Sequence, residues 1–300
     1  MMRKLFRNEE GNMYLLMALT MFLSIGILGL VIDGGQLYMT KSHLQKTANA
    51  AAVSGAQELP NSQEKVDQVV GEILNHHNES GSLLFSKVDS EKLLHVGVGR
   101  EVPLFFSSLF GIDNVMLNAE AKAGLHAMTA GVGVVPLGLD ESMPLEYGKV
   151  YPLKVGAGDS DHGNFGILAL DGPGAKTYEE TLKHGFDEEL KVGDVINTQT
   201  GNIAGKTKNG VDYRIASCPN VDSQERDCAR IMLVPVYKPY NYSGGQMGQV
   251  EITGFAYFYL TDSMNSKDEI NGIFIKRAGS GESNGDAPLD RGAYTIKLTR

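Results

Sequence analysis

An uncharged apolar run of twenty residues, beginning at Met13 and ending at Ile32, constrains this chain more than any other feature. At the rise of an α-helix such a run is about 30 Å long, which matches the hydrocarbon core of a bilayer. A cleavable signal peptide has a shorter apolar core and a small-residue cleavage site, whereas Asp33-Gly34-Gly35 follows this run. A buried core helix of this length would carry a polar face. We therefore interpret the run as an uncleaved transmembrane anchor.

Basic residues are distributed unevenly around the run. Arg3, Lys4 and Arg7 precede it in a short tail, while the nearest basic residues after it are Lys41 and Lys46. Since basic residues flanking a membrane span favour the cytoplasmic side, we expect the N-terminus in the cytoplasm. The rest of the chain is then expected outside the membrane.

Composition limits what the outer part can be. Of 300 residues, 27 are basic and 36 acidic, which gives a net charge of −9. No basic stripe is present to contact phosphates, so a nucleic-acid partner is not expected. The part after the anchor, about 260 residues, is long enough for one large domain or two small ones. The 36 glycines favour turns and strands over long helices.

Helical periodicity continues beyond the apolar run. No proline occurs between Leu37 and Glu58, and a stripe of mostly small residues recurs at spacings of three, four or seven: Leu37, Leu44, Ala48, Ala51 and Gly55. This pattern predicts one helix, half in lipid and half outside, with a close-packed face and a stop at Pro60. Gly34-Gly35 could bend it at the junction. A second amphipathic helix is predicted after the N-cap candidates Asn61-Ser62, ending at Gly81.

The remaining patterns predict a mixed fold. Strands are expected over residues 83–88, 93–98 and 115–125, and a short helix over 102–110 because Pro103 suits a first helical turn. Further strands are expected over residues 150–155, 165–170, 231–237, 250–260, 270–275 and 293–298, helices over 175–184 and 202–217, and a polar mobile loop over 279–290.

These elements predict the class α+β, in three parts. Residues 1–59 are the cytoplasmic tail, transmembrane anchor and helical extension. Residues 60–126 are a small α/β stem, and residues 127–300 a β-rich extracytoplasmic domain. The small residues over 127–135 are the candidate boundary.

Two cysteines, Cys218 and Cys228, are separated by nine mostly polar residues. In an exported domain a disulfide closing this loop is the favoured interpretation, and two reduced thiols are the alternative. No further Cys or His lies close enough to suggest zinc.

Motifs for chemistry are weak. Residues 281–285 match G-x-S-x-G by letters, but Ser283 lies in a polar loop where a nucleophile elbow needs a strand before it and a helix after it. Residues 159–164 resemble the start of a calcium loop, but the closing acid is absent and a solvated turn is favoured. The seven histidines show no ligand spacing, and His76-His77 face different ways on a helix. We therefore expect no catalytic residues, metal ligands or cofactor.

Residues 7–59 resemble the N-terminal segment of the Flp pilus-assembly TadE/TadG-like family. The resemblance is carried by the entry over residues 8–11, the apolar span, Val31-Ile32-Asp33-Gly34-Gly35, Leu37-Tyr38 and Leu44-Gln45 followed by the alanines of 48–52. Later segments, among them Val135-Pro136-Leu137 and Gly254-Phe255-Ala256, look like longer Gram-positive members. The resemblance implies a non-enzymatic, single-pass protein of a bacterial cell membrane that works with pilus or secretion-machinery proteins.

Two family features do not carry over. Prepilin-like relatives have a glutamate five residues after the processing glycine, but Leu16 stands there when Gly11 is taken as that glycine. We therefore expect the anchor to be retained. Some relatives carry a von Willebrand A domain with a D-x-S-x-S metal site, which the segments at Asp140 and at Asp262 do not match.

The predicted function is a membrane-anchored, non-catalytic accessory role in pilus assembly or surface adhesion. An extracytoplasmic sensor or binding module is one alternative, and it would need an apolar pocket with convergent polar groups. An anchored hydrolase or transpeptidase using Cys218 or Ser283 is another, and it would need a base within hydrogen-bond reach of the nucleophile.

Overall fold

The computed structural model describes residues 9–154, 165–199, 203–220, 226–243, 246–266, 268–284 and 288–299. The described residues fall into two compact units. Unit 1 takes those up to Gly124 together with the C-terminal end from Leu298, and unit 2 takes those from Leu125 to Lys297. The predicted α+β class, a long N-terminal helix followed by a β-rich region, is confirmed.

Unit 1 begins with a single uninterrupted helix, α1 (Glu9–Ala56). Its 48 residues span about 70 Å at helical rise. The glycine pair Gly34-Gly35 lies within it and does not end it, because the main-chain hydrogen bonds of a helix need no side chain. Turns from Gln57 onward lead to Pro60, so the predicted continuation of the apolar run into a second helical half is confirmed.

The second helix, α2 (Gln63–His76), starts as its sequence predicts. The Ser62 hydroxyl accepts a hydrogen bond from the Lys65 amide at 3.4 Å, which caps the first turn of the helix. The predicted end at Gly81 is wrong. Asn78 adopts a left-handed conformation (φ 58°) that asparagine tolerates, and the chain leaves the helix there.

Three antiparallel strands complete unit 1: β1 (Leu83–Ser90), β2 (Leu93–Pro103) and β3 (Asn114–Ala127), of which the last three residues lie in unit 2. The pairing of β2 with β3 continues without a break from Leu93 opposite Gly124 to Pro103 opposite Asn114. The predicted helix over 102–110 is therefore wrong. Strand pairing holds Val102 and Pro103 in β2, and only Ser107–Phe110 forms a 3₁₀ turn.

Unit 2 is built on a mixed sheet whose centre is a long antiparallel pair, β10 (Ile231–Ser243) and β11 (Gln246–Leu260). The other described strands of this sheet are β5 (Leu137–Asp140), β6 (Val150–Lys154), β7 (Phe165–Ile167), β9 (Val195–Asn197) and β12 (Glu269–Ile275). The order is β6-β12-β11-β10-β5-β7, with β9 also paired to β11. The pairing of β5 with β10 is parallel.

Both faces of this sheet are covered. Successive side chains of β10 point to opposite faces, and each face packs in its own core. Met232, Val234 and Val236 belong to one core, together with Leu182 of α3 (Ala175–His184) and Val211 of α4 (Ala204–Ser217). Leu233 and Tyr237 belong to a second core on the other face, which includes Val134, Leu190, Val250 and Phe255. The strands therefore carry near-continuous apolar runs.

Short strands join segments that are distant in sequence. β4 (Ala130–Gly131) pairs with β8 (Leu190–Lys191) and with β14 (Gly281–Glu282), while β13 (Arg277–Ala278) runs parallel to β15 (Ala293–Thr299). The prediction of a plain polar loop over residues 279–290 is wrong for its first part. Gly281 and Glu282 are paired with another strand and Ser283 is buried.

Candidate functional site

The surface of α1 changes abruptly along its length. Residues 13–28 are exposed except Gly26, which is half-buried, although nearly all of them are apolar. From Gly29 onward, buried positions recur on one face of the helix: Gly29, Asp33, Thr40, Leu44, Thr47, Ala48, Ala51, Ala52, Gly55 and Ala56. Among the described residues, α1 is the one helix that is long and apolar enough to cross a membrane. The exposed half suits lipid, and the striped half is a core element of unit 1.

The two halves meet where the connection between β2 and β3, residues 104–113, contacts α1. The carboxylate of Asp33 is only 2% exposed and accepts four hydrogen bonds from this connection. Phe105 N–H donates to Oδ1 at 3.1 Å, while Phe106 N–H, Ser107 N–H and Ser107 Oγ donate to Oδ2 at 3.0, 2.7 and 2.8 Å. A buried carboxylate needs such partners, and the 3₁₀ turn needs acceptors for its first amides. We call this contact the Asp33 latch.

A glycine one turn earlier makes room for the same connection. A Cβ added at Gly29 would lie 2.4 Å from Cγ of Phe106, whereas one added at Gly26 would meet nothing within 4 Å. The Phe106 ring therefore packs directly on the backbone of α1 at Gly29. This position is inside the apolar run, so folded protein reaches the helix about one turn before the run ends.

Further along α1, small residues let the unit 1 core approach closely. Ala48, Ala51 and Ala52 are fully buried. A Cβ added at Gly55 would lie 2.7 Å from methyl groups of both Val70 on α2 and Leu94 on β2. The predicted contact face of small residues is thus confirmed, with α2 and β2 as the elements packed against it.

Polar contacts also tie α1 to the rest of unit 1. The buried carboxylate of Glu79 accepts a hydrogen bond from Nη1 of Arg100 on β2 at 2.7 Å, and Nε2 of His43 on α1 lies 3.4 Å from the same oxygen. Gln45 Nε2 on α1 donates to the Glu120 carbonyl on β3 at 2.8 Å. These contacts fix the rotation of α1 about its axis as well as its distance from the sheet.

In unit 2 the sulfur atoms of Cys218 and Cys228 lie 2.07 Å apart, at disulfide distance. Cys218 follows the C-terminus of α4, and Cys228 precedes β10. The buried Arg230, two residues after Cys228, donates from Nε to the Cys218 carbonyl at 2.6 Å and from Nη1 to the Thr261 carbonyl at 3.0 Å. The end of α4 is therefore held to the start of the central strand pair.

We expect the protein isolated from membranes without reductant to carry the Cys218–Cys228 bridge, because the two sulfur atoms are already placed to bond. Intact-mass measurement before and after reduction should then show a gain of two hydrogen atoms. Alkylation without prior reduction is the control, and it should leave the mass unchanged. Recovery of two alkylated cysteines from unreduced protein would contradict the bridge.

The helices α3 and α4 are joined by one carboxylate. Glu179 Oε1 lies 2.8 Å from Lys183 Nζ on the same helix, and its Oε2 lies 2.6 Å from Lys206 Nζ on α4. Hydrogen bonds from these two ammonium groups, first Lys183 and then Lys206, lower the pKa of Glu179 from 4.5 to about 2. The carboxylate therefore stays ionised in the folded protein at pH values that would protonate it in the unfolded chain.

A lowered folded-state pKa means that Glu179 stabilises unit 2 above pH 4.5 and loses this effect as the pH falls toward 2. We expect Glu179→Gln to lower the stability of unit 2 at neutral pH. The stability of this variant should also depend less on pH between about 4.5 and 2. The measurement is amide exchange of α3 and α4 as a function of pH in the full chain. Glu180→Gln, at an exposed neighbouring position, is the control. Equal pH profiles for the two variants would contradict the assignment.

The structure does not bring the remaining sequence motifs together among the residues it describes. The calcium-like segment 159–164 lies outside the described residues. Ser283 follows a two-residue strand, and no helix follows it among the described residues up to Thr299, so the elbow geometry is not formed there. Asp140 uses Oδ1 locally, accepting from the amide and hydroxyl of Ser142 at 2.8 and 2.6 Å. Within the described part of the chain, no three His, Cys, Asp or Glu side chains are placed to hold a metal ion.

Comparison with known proteins bears on the α1 segment. Residues 11–58 match the model of the TadE/G-like Flp pilus-assembly family, Tad, which confirms the predicted resemblance for this segment. The match covers the apolar run, the Asp33 latch position and the small-residue face, and it ends just after α1. A search of curated proteins and a search of solved structures each found no match. The N-terminal segment is thus similar to the TadE/G-like Flp pilus-assembly family, which indicates involvement in Flp pilus assembly, and α1 is a candidate single-pass membrane anchor.

Proposed function

We propose that the chain is a non-catalytic accessory protein of Flp pilus assembly or surface adhesion, anchored by α1 with unit 2 on the outer side of the membrane. The observation that carries the proposal is α1 itself. Its segment 11–58 matches the Tad family, its first half presents apolar side chains on all sides, and its second half buries one face in unit 1. An anchor that is also a core element suits a component that must hold a folded domain at the membrane.

Two features count against the hydrolase alternative. Cys218 lies at disulfide distance from Cys228, so it is not placed as a free thiolate nucleophile. Ser283 is buried, with its main-chain oxygen accepting from Lys297 Nζ. A nucleophile needs both an approach for substrate and a base beside its hydroxyl.

Deleting the gene in its native bacterium should abolish or strongly reduce Flp pili, counted on the cell surface by electron microscopy. Re-expression of the unchanged chain should restore them. Ser283→Ala should restore them equally well, since the proposal assigns this serine no chemistry. Normal piliation of the deletion strain would contradict a role in assembly. Failure of a well-folded Ser283→Ala variant would favour the hydrolase.

The proposed topology predicts labelling of a cysteine introduced at Asn284 by an impermeant thiol reagent on intact cells, because Asn284 is exposed in unit 2. A cysteine at Leu5, in the basic tail, is the matched control and should react only after permeabilisation. The unsubstituted chain gives the background. The reverse pattern, with Leu5→Cys labelled on intact cells, would show that the orientation is inverted.

A further inference from the structure

The connection between β2 and β3 carries an exposed apolar surface that the anchor alone does not explain. Phe105 is 67% exposed, Leu109 80%, Phe110 69% and Ile112 52%. Residues 104–112 contain no charged side chain, and the one charged residue of the connection, the exposed Asp113, stands at its end next to β3. Large apolar side chains grouped so closely on a surface mark a contact with another molecule or a membrane.

The position of this surface identifies what covers it. The Asp33 latch and the contact of Phe106 with Gly29 place the connection beside α1 at the end of its apolar run. If the run lies in hydrocarbon, the connection meets the helix at Gly29, about 5 Å inside that end, at the boundary between acyl chains and headgroups. Leu28, Leu30 and Ile32 are exposed on α1 at the same level, so the helix also presents apolar side chains at this height.

Most main-chain amides of the connection have partners within the protein, which favours a position at a membrane. In lipid every main-chain polar group needs a partner within the protein. Phe105, Phe106 and Ser107 donate their amides to Asp33. Leu104 N–H donates to the Asp113 carbonyl, Gly111 N–H to the Ser108 carbonyl and Ile112 N–H to the Ser107 carbonyl. The Ser108 hydroxyl donates to the Phe105 carbonyl at 2.7 Å. Because these amides do not depend on water for a partner, the connection can lie at this depth at a lower cost in free energy.

We propose that residues 104–112 form a second membrane contact, in which Phe105, Leu109, Phe110 and Ile112 insert into the bilayer interface beside α1. The inference rests on the proposed anchoring of α1. Unit 1 is then seated on the membrane at two places, the helix and the connection. Aromatic and aliphatic side chains bind an interface through buried apolar area, and the Asp33 latch holds them at a fixed height.

The test uses the full chain reconstituted in phosphatidylcholine vesicles, with an environment-sensitive fluorophore on a single introduced cysteine. Loop probes stand at Leu109 and at Phe110, a membrane control at Ile25 in the apolar run, and a water control at Lys87 in β1. Ile25 and Lys87 are both exposed in the folded protein. The unsubstituted chain, treated in the same way, gives the blank. Quenching is measured with nitroxide-labelled lipids and, separately, with iodide in the buffer.

Since interfacial segments sit roughly 5–10 Å into the headgroup boundary, nitroxide quenching at a loop probe should be within about twofold of that at Ile25. The Lys87 probe should respond to iodide only. Such quenching at either loop site supports the second contact. Water-like signals at both loop sites, with Ile25 quenched, would overturn it while leaving the anchor intact. An unquenched Ile25 probe would instead contradict the anchor, and with it both proposals.

Discussion

Replacing Asp33 by alanine is expected to release the β2–β3 connection from α1 and to raise amide exchange at Phe105, Phe106 and Ser107 by about tenfold or more. The four donors that the carboxylate accepts would lose their partner at a buried position. Asp33→Asn should have an intermediate effect. One amide oxygen can replace Oδ2, but the NH₂ group would face the Phe105 amide, which is also a donor.

The measurement is hydrogen exchange of the full chain in lipid nanodiscs, read at the residues of the latch. Asp113→Ala is the matched control because it removes an exposed acid from the end of the same connection. The Asp113 carbonyl, which accepts from Leu104, is unaffected by that change. Equal protection in the Asp33→Ala and Asp113→Ala variants would show that the carboxylate does not hold the connection.

Ala51→Leu is expected to destabilise unit 1 by about 1–3 kcal/mol, because it adds a larger side chain at a fully buried position. Ala51 is fully buried between α1 and the elements packed on it. Thermal unfolding of the full chain in detergent, followed by circular dichroism, should show a melting temperature several degrees below that of the unchanged protein.

Lys46→Leu is the control for the second prediction. Lys46 is exposed on the same helix, so the same side chain introduced there should change stability by less than about 0.5 kcal/mol. Both variants place a leucine on α1, at a fully buried position in one and at an exposed position in the other. If neither changes the melting temperature, the second half of α1 is a free stalk and the packed arrangement is refuted.

Elements with a strong local period were predictable from the sequence. The apolar run and its small-residue continuation gave α1, and the alternation over residues 115–125 gave β3. The helix over 175–184 agrees at both ends with α3, since a glycine precedes it and another follows it. In these cases local propensity and tertiary packing favour the same conformation.

Elements decided by distant partners were not predictable. Pro103 suits a helix start locally, but pairing with Asn114 keeps it in β2. The short strands β4, β8 and β14 have no period of their own and exist because three distant segments meet. Asp33 was noted only as part of the family pattern. The available signal was an acid directly at the end of an apolar span, and its donors lie more than seventy residues away.

Because α1 runs without a break from the apolar run into the core of unit 1, the exposed apolar half and the packed half belong to one continuous helix. A soft linker would let a domain reorient freely above its membrane helix. If α1 spans the bilayer as proposed, the height and tilt of the helix there also set the height and tilt of the β1–β3 sheet. A force on the apolar half of α1, or a local change in bilayer thickness, would then move unit 1 together with the helix, because no flexible segment separates them.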